Sequence, residues 1–282
     1  MSQHAVRTFL RRRSTLAGLA GGVAIATGAG LLLSNAFASG SAPEVVPPEA
    51  DVAFDYQIGG AYAPPAGVGA VSRDRGDEPA EGLYNVCYVN AFQTQPDALD
   101  RWEKDNPDLL LRDGDGDLVN DEEWGEALLD TSTAEKRTRL ADIVAGWVDG
   151  CAKSGFQAVE PDNLDSYERS KGLLTRAHNA AFAKLLADRA HAAGLAIGQK
   201  NTTDLLEQRG TIGFDFAVAE ECGRYGECEE YASAYGDRVF VVEYTEDDYA
   251  KACASVGAKV SVVRRDLDVR PAGRPGYVFR TC

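Results

Sequence analysis

Short apolar runs typical of β-strands alternate along this chain with longer amphipathic runs typical of helices. In the run 134–154, for example, Leu140, Val144 and Trp147 recur at helical spacing, and the run 172–193 has the same period. Eight runs are predicted as strands: 54–59, 84–90, 127–131, 157–162, 195–200, 215–220, 239–244 and 259–264. Strands separated by helices predict a parallel sheet, and eight such units favour a closed α/β barrel of the (β/α)₈ TIM type over an open doubly wound sheet.

Polar side chains collect where these predicted strands end. In a strand, alternate residues face the same side, so Glu160 and Asp162 share one face while Val159 takes the other. The next predicted strand ends in Lys200 and the one after it in Glu220. Because the carboxyl ends of barrel strands converge on one face, these groups are expected to form one site.

The residue types in this predicted site favour cleavage of glycosidic bonds. Several carboxylates, one lysine and several tyrosines without a histidine exclude Ser-His-Asp hydrolysis. A pair of carboxylates can supply both roles in glycoside cleavage: one protonates the leaving oxygen, and the other is the nucleophile or general base. The surplus acids suit a sugar that carries ammonium groups.

The first 38 residues are expected to be an export signal rather than part of the fold. Adjacent arginines at 11–13 precede an uncharged run, 16–33, and the small residues Ala36 and Ala38 match the spacing of a signal peptidase site. The arginines favour the twin-arginine route, with an uncleaved membrane anchor as the alternative. We therefore expect a secreted, extracellular protein that is not inserted in a membrane once processed.

The chain that follows this predicted signal is strongly acidic. Removing residues 1–38 takes away four arginines and no acid, so the formal net charge at pH 7 moves from −15 to −19. This charge disfavours nucleic acid as a partner and favours encounter with a cationic ligand or polymer. Residues 39–51, rich in Pro, Ala and Glu, predict a disordered leader, and 52–282 predict one catalytic domain, which we expect to be a monomer.

All six cysteines follow the predicted signal, and an even number in an exported chain predicts disulfide bonds. Cys222 and Cys228 are near enough in sequence to close one loop, which makes them the best-supported pair. A bond between Cys253 and Cys282 would fix the C-terminus to the last helix. The remaining pair would then be Cys87 and Cys151, one arrangement among the fifteen that six cysteines allow.

Neither of two candidate metal sites in the sequence has the required pattern of ligands. A zinc site is disfavoured because the chain has no Cys-x-x-Cys motif and only two histidines after the predicted signal. The Asp/Gly run 113–117 resembles the start of a calcium loop. However, Leu118 and Trp124 stand where such a loop needs Gly and Glu, so a solvated hairpin is expected. We expect no metal and no cofactor.

Four motifs, in order, resemble glycoside hydrolase family 114, the endo-α-1,4-polygalactosaminidases. They are GFQAVEPDNLDSY at 155–167, AHAAGLAIGQKN at 190–201, FDFAVAEECGRYGEC at 214–228 and VEY at 242–244. The resemblance spans nearly the whole chain after the predicted signal. It implies a (β/α)₈ barrel and endo-cleavage of α-1,4-linked galactosamine or N-acetylgalactosamine polymers, which are exopolysaccharides of microbial biofilms.

The resemblance also implies a catalytic pair, because the family's catalytic positions match Asp162 and Glu220. We expect Asp162 to be the nucleophile of a retaining mechanism and Glu220 the general acid/base. Family members commonly carry Asn-Glu-Gln-Cys where this chain has Ala-Glu-Glu-Cys at 219–222, a departure expected to alter substrate preference. The other residues expected to line the sugar subsites or tune the pair are Asp55, Tyr88, Glu160, Asn163, Asp165, Tyr167, Lys200, Asn201, Glu221, Glu243 and Tyr244.

Two other functions compete with glycosidic cleavage. A barrel of this composition could bind glycans without cleaving them, in which case no reducing ends would be released. Lys200 at a strand end could instead form a Schiff base in an aldolase or lyase. The acidic neighbours of Lys200 argue against the second alternative, because they should keep the amine protonated.

Overall fold

The computed structural model describes residues 44–282, so the predicted export signal lies outside the described residues. The strands of this part, in chain order, are β1 (Phe54–Gln57), β2 (Ala70–Asp74), β3 (Tyr84–Asn90), β4 (Asn120–Asp121), β5 (Glu126–Ala127), β6 (Ala158–Asp162), β7 (Ala196–Lys200), β8 (Phe216–Glu220), β9 (Val239–Glu243), β10 (Ser261–Arg265) and β11 (Phe279–Thr281). Strands β1–β3 and β6–β10 pair in parallel in that order, which confirms the predicted barrel.

The barrel closes where β10 returns to β1. The Ser261 hydroxyl donates a hydrogen bond to the backbone carbonyl of Val52, and the fully buried Arg265 guanidinium lies 3.0 Å from the Asp55 carboxylate. The edge of β10 also pairs antiparallel with β11, where Val263 lies opposite Thr281. The final strand therefore covers an edge that would otherwise be exposed at the closure.

Helices surround these strands. They are α1 (Leu99–Asp105), α2 (Ala134–Ser154), α3 (Ser166–Arg169), α4 (Arg176–Ala192), α5 (Arg209–Ile212), α6 (Cys222–Tyr225), α7 (Cys228–Tyr235) and α8 (Glu246–Val256). Helix α2 begins where the Thr133 side chain accepts a hydrogen bond from the Lys136 N–H, and it ends at Gly155, whose φ of 97° suits glycine. Its buried stripe includes Leu140, Val144 and Val148 and packs in the layer between helices and barrel.

Strand alternation divides the core into two layers and decides which side chains can meet. Inside the barrel lie Phe54, Val86, Phe216 and Val242, among others, and the alternate residues of the same strands pack outward against the helices. Residues in step with these inward positions, near the carboxyl end of each strand, therefore point into the mouth of the barrel.

One predicted strand, 127–131, is not a barrel strand. Only Ala127 belongs to a strand, the two-residue β5, which pairs with β4 in a hairpin, and Leu128 and Leu129 make isolated bridges to Gln93 and Leu110. The prediction was wrong because its apolar pair is buried without joining the barrel sheet: Leu128 packs with Leu111, Val119 and Leu174, and Leu129 packs in the layer between helices and barrel. The eighth barrel strand is instead β2, which the sequence pattern missed.

All three predicted disulfide pairs are confirmed, with Cα–Cα distances of 6.1 Å for Cys87–Cys151, 4.9 Å for Cys222–Cys228 and 5.8 Å for Cys253–Cys282. The first ties β3 to α2, the second closes the loop after β8, and the third fixes the C-terminus to α8. Each removes conformational freedom from the unfolded chain and so stabilises the barrel.

The structure also bears on the predicted leader and on membrane-spanning helices. The segment predicted as a disordered leader is described from residue 44 onward, where Tyr84 donates a 2.8 Å hydrogen bond to the Val46 carbonyl and Pro48 is buried. Among the residues described, none of the helices combines the length and apolar character needed to cross a membrane.

Candidate active site

A buried lysine lies at the centre of the barrel mouth and contacts three carboxylates. Lys200 Nζ is 3.0 Å from Asp162 Oδ1, 3.0 Å from Glu220 Oε2 and 3.2 Å from Glu160 Oε1. These side chains come from β6, β7 and β8, and all four occupy inward positions of their strands. The arrangement places one positive charge among three acidic groups.

Glu160 forms the floor of this cluster and is fully buried. Its carboxylate accepts hydrogen bonds from the Tyr56 hydroxyl at 2.8 Å and the Ser72 hydroxyl at 2.7 Å. Burial raises the pKa of Glu160 despite the opposing charge of Lys200, and Asp162 adds to the rise. Because it is shielded from solvent and fully hydrogen-bonded, Glu160 suits a supporting role beneath the reacting groups.

Asp162 lies above Glu160 and is held in its ionised form. Burial by itself would raise its pKa, but the Lys200 ammonium and the hydrogen bonds it receives outweigh burial, so the pKa is lowered. The donors are the Tyr88 hydroxyl at 2.5 Å, Lys200 itself and the Asn163 N–H at 2.7 Å. A carboxylate that stays ionised and keeps 17% of its side chain exposed at the barrel mouth is suited to be a nucleophile.

Glu220 faces Asp162 across the lysine and is held by a different set of groups. The Tyr244 hydroxyl donates to Oε1, and Asn201 Nδ2 donates to Oε2 at 3.4 Å. The Asn201 side-chain oxygen also accepts the Glu220 backbone N–H at 2.8 Å. The Glu220 side chain is 22% exposed, so solvent or a substrate can reach its carboxylate.

Three residues that directly follow the site strands have left-handed backbone conformations. They are Asn163 at φ 66°, Asn201 at φ 46° and Glu221 at φ 57°. Such values are uncommon for residues other than glycine and cost free energy, so surrounding contacts must hold them. They let each strand turn sharply while keeping its last inward side chain in the mouth, and at both asparagines the amide reaches back to the site.

Lys200 itself remains a cation. Burial would lower its pKa, but Asp162, Glu220 and the other neighbouring groups raise the pKa well above its usual value. Its ammonium also lies 5.6 Å from the ring centres of both Tyr56 and Tyr88, a cation–π arrangement. A protonated amine cannot attack a carbonyl carbon, which argues against a Schiff-base lyase.

Of the predicted site residues, the structure brings together Tyr88, Glu160, Asp162, Asn163, Lys200, Asn201, Glu220 and Tyr244. Three others lie at the rim of the mouth. Asp165 pairs with Arg169 at 2.9 Å, the Tyr167 hydroxyl donates to Asp204 at 3.1 Å, and Glu221 pairs with Arg224 at 2.7 Å.

Asp55 and Glu243 do not join this cluster, because both occupy outward positions of their strands. Asp55 is buried in a network with Arg265 at 3.0 Å and the Tyr62 hydroxyl at 2.6 Å. Glu243 lies beneath α6, where its Oε1 accepts the Gly223 N–H at 2.7 Å and its Oε2 is buried without a hydrogen-bond partner in the described part of the chain. The inward residues beside them are Tyr56 and Tyr244.

The outward position of Glu243 has a measurable consequence for stability. Burial, with the nearby carboxylates of Asp248 and Glu221, raises the pKa of Glu243 from 4.5 to about 7 against the opposing Gly223 hydrogen bond and Lys251. The folded protein therefore binds this proton more tightly than the unfolded chain. The stabilisation is fully present below pH 4.5 and is lost as pH rises through about 7.

We expect Glu243→Gln to remove this pH dependence, because glutamine cannot ionise. The fall in unfolding free energy between pH 5 and pH 8 should shrink by about 2 kcal/mol relative to the parent protein. Urea unfolding at both pH values measures it, with the exposed Glu229→Gln as the control. An unchanged pH slope in Glu243→Gln would contradict the assignment.

The structure adds to the site three groups that were not among the residues predicted to line the sugar subsites or tune the catalytic pair. Tyr56 and Ser72 hydrogen-bond to Glu160, and Glu126, on the β4–β5 hairpin, accepts a 3.5 Å hydrogen bond from Asn163. The alternation rule would have selected Tyr56 over its neighbour Asp55. No comparable signal marks Glu126, since it reaches the site from an inserted hairpin.

One group of potential metal ligands occurs in the described part of the chain, formed by Cys222, Cys228 and Glu243. Its two sulfur atoms are bonded to each other in a disulfide, so they do not act as thiolate ligands.

The Asp113 carboxylate, in the run predicted as a solvated hairpin, accepts hydrogen bonds from the backbone N–H groups of Asp115 and Asp117.

Comparisons with known proteins agree with this architecture. Ega3 of Aspergillus fumigatus, solved in complex with galactosamine, is 24% identical, and the two structures share a TM-score of 0.67 over 85% of this chain and 98% of that one. The glycoside hydrolase domain of PelA from Pseudomonas aeruginosa is 15% identical, with a TM-score of 0.52 over 79% and 96% of the two chains. No curated protein sequence matches the chain.

At these identities the two solved structures support the barrel fold. The sequence itself matches the model of glycoside-hydrolase family GH114 over residues 34–282, which includes every strand and helix described above. The chain is therefore a glycoside hydrolase that belongs to family GH114.

Proposed function

We propose that this chain is a secreted endo-glycosidase that cleaves α-1,4-linked galactosamine or N-acetylgalactosamine polymers with retention of configuration. Asp162 is the nucleophile and Glu220 the general acid/base. The observation that carries the proposal is the geometry of these two carboxylates around Lys200. One oxygen of each lies 3.0 Å from the same Nζ, so these two oxygens are no more than about 6 Å apart.

This limit applies to the oxygen pair that contacts Lys200, and it agrees with a retaining mechanism. Retaining glycosidases hold their carboxyl groups about 5–5.5 Å apart, whereas inverting enzymes need about 6.5–9.5 Å to admit a water molecule. In the first step Asp162 attacks the anomeric carbon while Glu220 donates a proton to the departing glycosidic oxygen. In the second step Glu220 takes a proton from water, which then releases the sugar from Asp162.

The surrounding groups support these two roles differently. Lys200, Tyr88 and the Asn163 N–H stabilise the Asp162 anion before attack and again when it departs as a leaving group. Tyr244 and Asn201 orient the Glu220 carboxyl group toward the opposite side of the mouth. A preorganised site of this kind lowers the barrier because no donor must reorient during the reaction.

The proposed substrate class rests on charge and on family membership. The site holds more acidic than basic side chains, which favours a polymer bearing ammonium groups. Ega3, a protein of the same fold, was solved in complex with galactosamine. Secretion is supported by three disulfides, which persist in oxidising environments outside the cytosol.

A direct assay tests the proposal. The purified protein is incubated with α-1,4-linked galactosaminoglycan, its N-acetylated form and a neutral α-1,4-glucan, and the products are sized. We expect short oligomers from at least one amino-sugar polymer and none from the glucan. If neither amino-sugar polymer releases reducing ends, the proposed activity is refuted.

A further inference from the structure

The β4–β5 hairpin brings one more carboxylate to the edge of the barrel mouth. Glu126 Oε2 accepts hydrogen bonds from Asn90 Nδ2 at 2.8 Å, Gln93 Nε2 at 3.0 Å and Asn163 Nδ2 at 3.5 Å. Asn90 lies opposite Asp162 in the β3–β6 register, and Asn163 directly follows Asp162. Glu126 is therefore attached through neutral amides to the residues that flank the proposed nucleophile.

Glu126 has no cationic partner within the described residues. Arg169, which donates to the side-chain oxygens of Gln93 and Asn163, is occupied by Asp121 and Asp165, each at 2.9 Å. Lys200 is occupied by the three carboxylates of the central cluster. Glu126 Oε1 makes no hydrogen bond to any residue between 44 and 282, so one oxygen of a half-buried carboxylate is left for an external donor.

An uncompensated carboxylate of this kind is costly. Burial raises the pKa of Glu126, and the nearby Asp162 and Asp121 add to the rise against the hydrogen bonds from Gln93 and Asn90. A cation that binds beside it would reverse this effect by favouring the ionised form. Among the components of the proposed substrate, the free ammonium of a deacetylated hexosamine is such a cation, whereas an acetamido group carries no charge.

We propose that Glu126 is a specificity residue that binds the ammonium group of a deacetylated hexosamine beside the Asp162–Glu220 pair. The inference rests on the proposed function and narrows it to polymers that contain unacetylated galactosamine. The contact is an ammonium–carboxylate pair at the edge of the mouth, and the three amides hold the carboxylate in place before the sugar arrives.

Glu126→Gln tests this inference, because glutamine keeps an acceptor oxygen for the amides and loses the negative charge. Glu123→Gln is the matched control, since Glu123 is an exposed carboxylate in the turn of the same hairpin. We expect Glu126→Gln to raise KM for a galactosamine oligomer about ten- to one-hundredfold with little change in kcat. KM for the N-acetylated oligomer of equal length, and both constants of Glu123→Gln, should change less than about threefold.

Two outcomes would overturn the inference. In one, Glu126→Gln and Glu123→Gln change KM for the galactosamine oligomer equally. In the other, Glu126→Gln weakens both oligomers alike, which indicates a structural role. Either result leaves the hydrolytic function of the parent protein standing.

Failure of the proposed hydrolytic function can be distinguished from failure of this inference. If the parent protein cleaves neither polymer, the proposed hydrolysis is wrong. The role of Glu126 is then tested by measuring the binding of the same two oligomers by calorimetry. Selective loss of affinity for the galactosamine oligomer in Glu126→Gln supports the inference, and equal affinity in parent and variant overturns it.

Discussion

Replacing Asp162 by Asn, or Glu220 by Gln, is expected to lower the release of reducing ends from galactosaminoglycan by at least about a thousandfold. The first change removes the anion that attacks the anomeric carbon, and the second removes the proton donor to the leaving oxygen. Both variants should fold, because Lys200 keeps two of its three carboxylates in each case. Thermal unfolding and circular dichroism check the fold, and product sizing measures the activity.

The two variants can be told apart by the leaving group of the substrate. In an aryl glycoside with an acidic phenol, the phenolate leaves without much help from an acid. Glu220→Gln should therefore regain a large part of the rate of the first step on such a substrate. Asp162→Asn should gain nothing, because no acidity of the leaving group replaces a missing nucleophile. Asp188→Asn, which changes an exposed acid on α4, serves as the control and should keep the activity of the parent protein.

Two outcomes would contradict these assignments. Activity within about tenfold of the parent protein in both variants would remove Asp162 and Glu220 from the mechanism. Rescue of Asp162→Asn, but not Glu220→Gln, by the aryl leaving group would reverse the two assigned roles while keeping the pair. The experiment therefore tests the identity of the residues and their division of labour separately.

The central site was predictable from sequence because strand geometry is so regular. Glu160 and Asp162 were placed on one face from their spacing alone, and Lys200 and Glu220 follow the same alternation in β7 and β8. The location of a residue at a strand end was a weaker guide. Glu243 is at a strand end too, but its outward position places it beneath α6. Asp55 is only the second residue of β1, and its outward carboxylate pairs with Arg265 of β10.

The missed strand, β2, lacks the apolar pattern that identified the others. Its residues Ser72, Arg73 and Asp74 are polar, and Arg73 is nevertheless nearly buried. The guanidinium is satisfied by Gln57 Oε1 at 2.9 Å and by the Tyr62 carbonyl at 2.7 Å, partners on other segments of the chain. A strand whose burial depends on tertiary hydrogen bonds gives little local signal.

Glu126 illustrates the limit of reasoning from barrel periodicity. It belongs to an insertion between β3 and α2, and its three amide partners come from β3, from the loop that follows β3 and from the residue after β6. Neither spacing nor residue type in the hairpin distinguishes it from the neighbouring Glu122 and Glu123. Only the folded chain shows which of these acids reaches the site.

Replacing Lys200 by Met is expected to destabilise the folded protein by about 3–5 kcal/mol at pH 7. Methionine fills a similar volume, but the three carboxylates would then share a buried mouth without a counter-charge. A loss of this size should lower Tm by roughly 6–20 °C in a domain of this length. The control is Lys184→Met, because Lys184 forms an exposed pair with Asp188 on α4 and should cost no more than about 0.5 kcal/mol.

The pH dependence of this loss separates charge from packing. In the parent protein the lowered pKa of Asp162 contributes stability that is present above the usual pKa of an aspartate and is lost as pH falls. Without Lys200, burial alone would raise the pKa of both Asp162 and Glu160, so folding would take up protons. The stability of Lys200→Met should therefore rise as pH falls from 7 toward 4, and its deficit should narrow. A deficit that stays constant over this range would mean that the lysine acts through its packed hydrocarbon chain, and the three acids would then need another source of stabilisation.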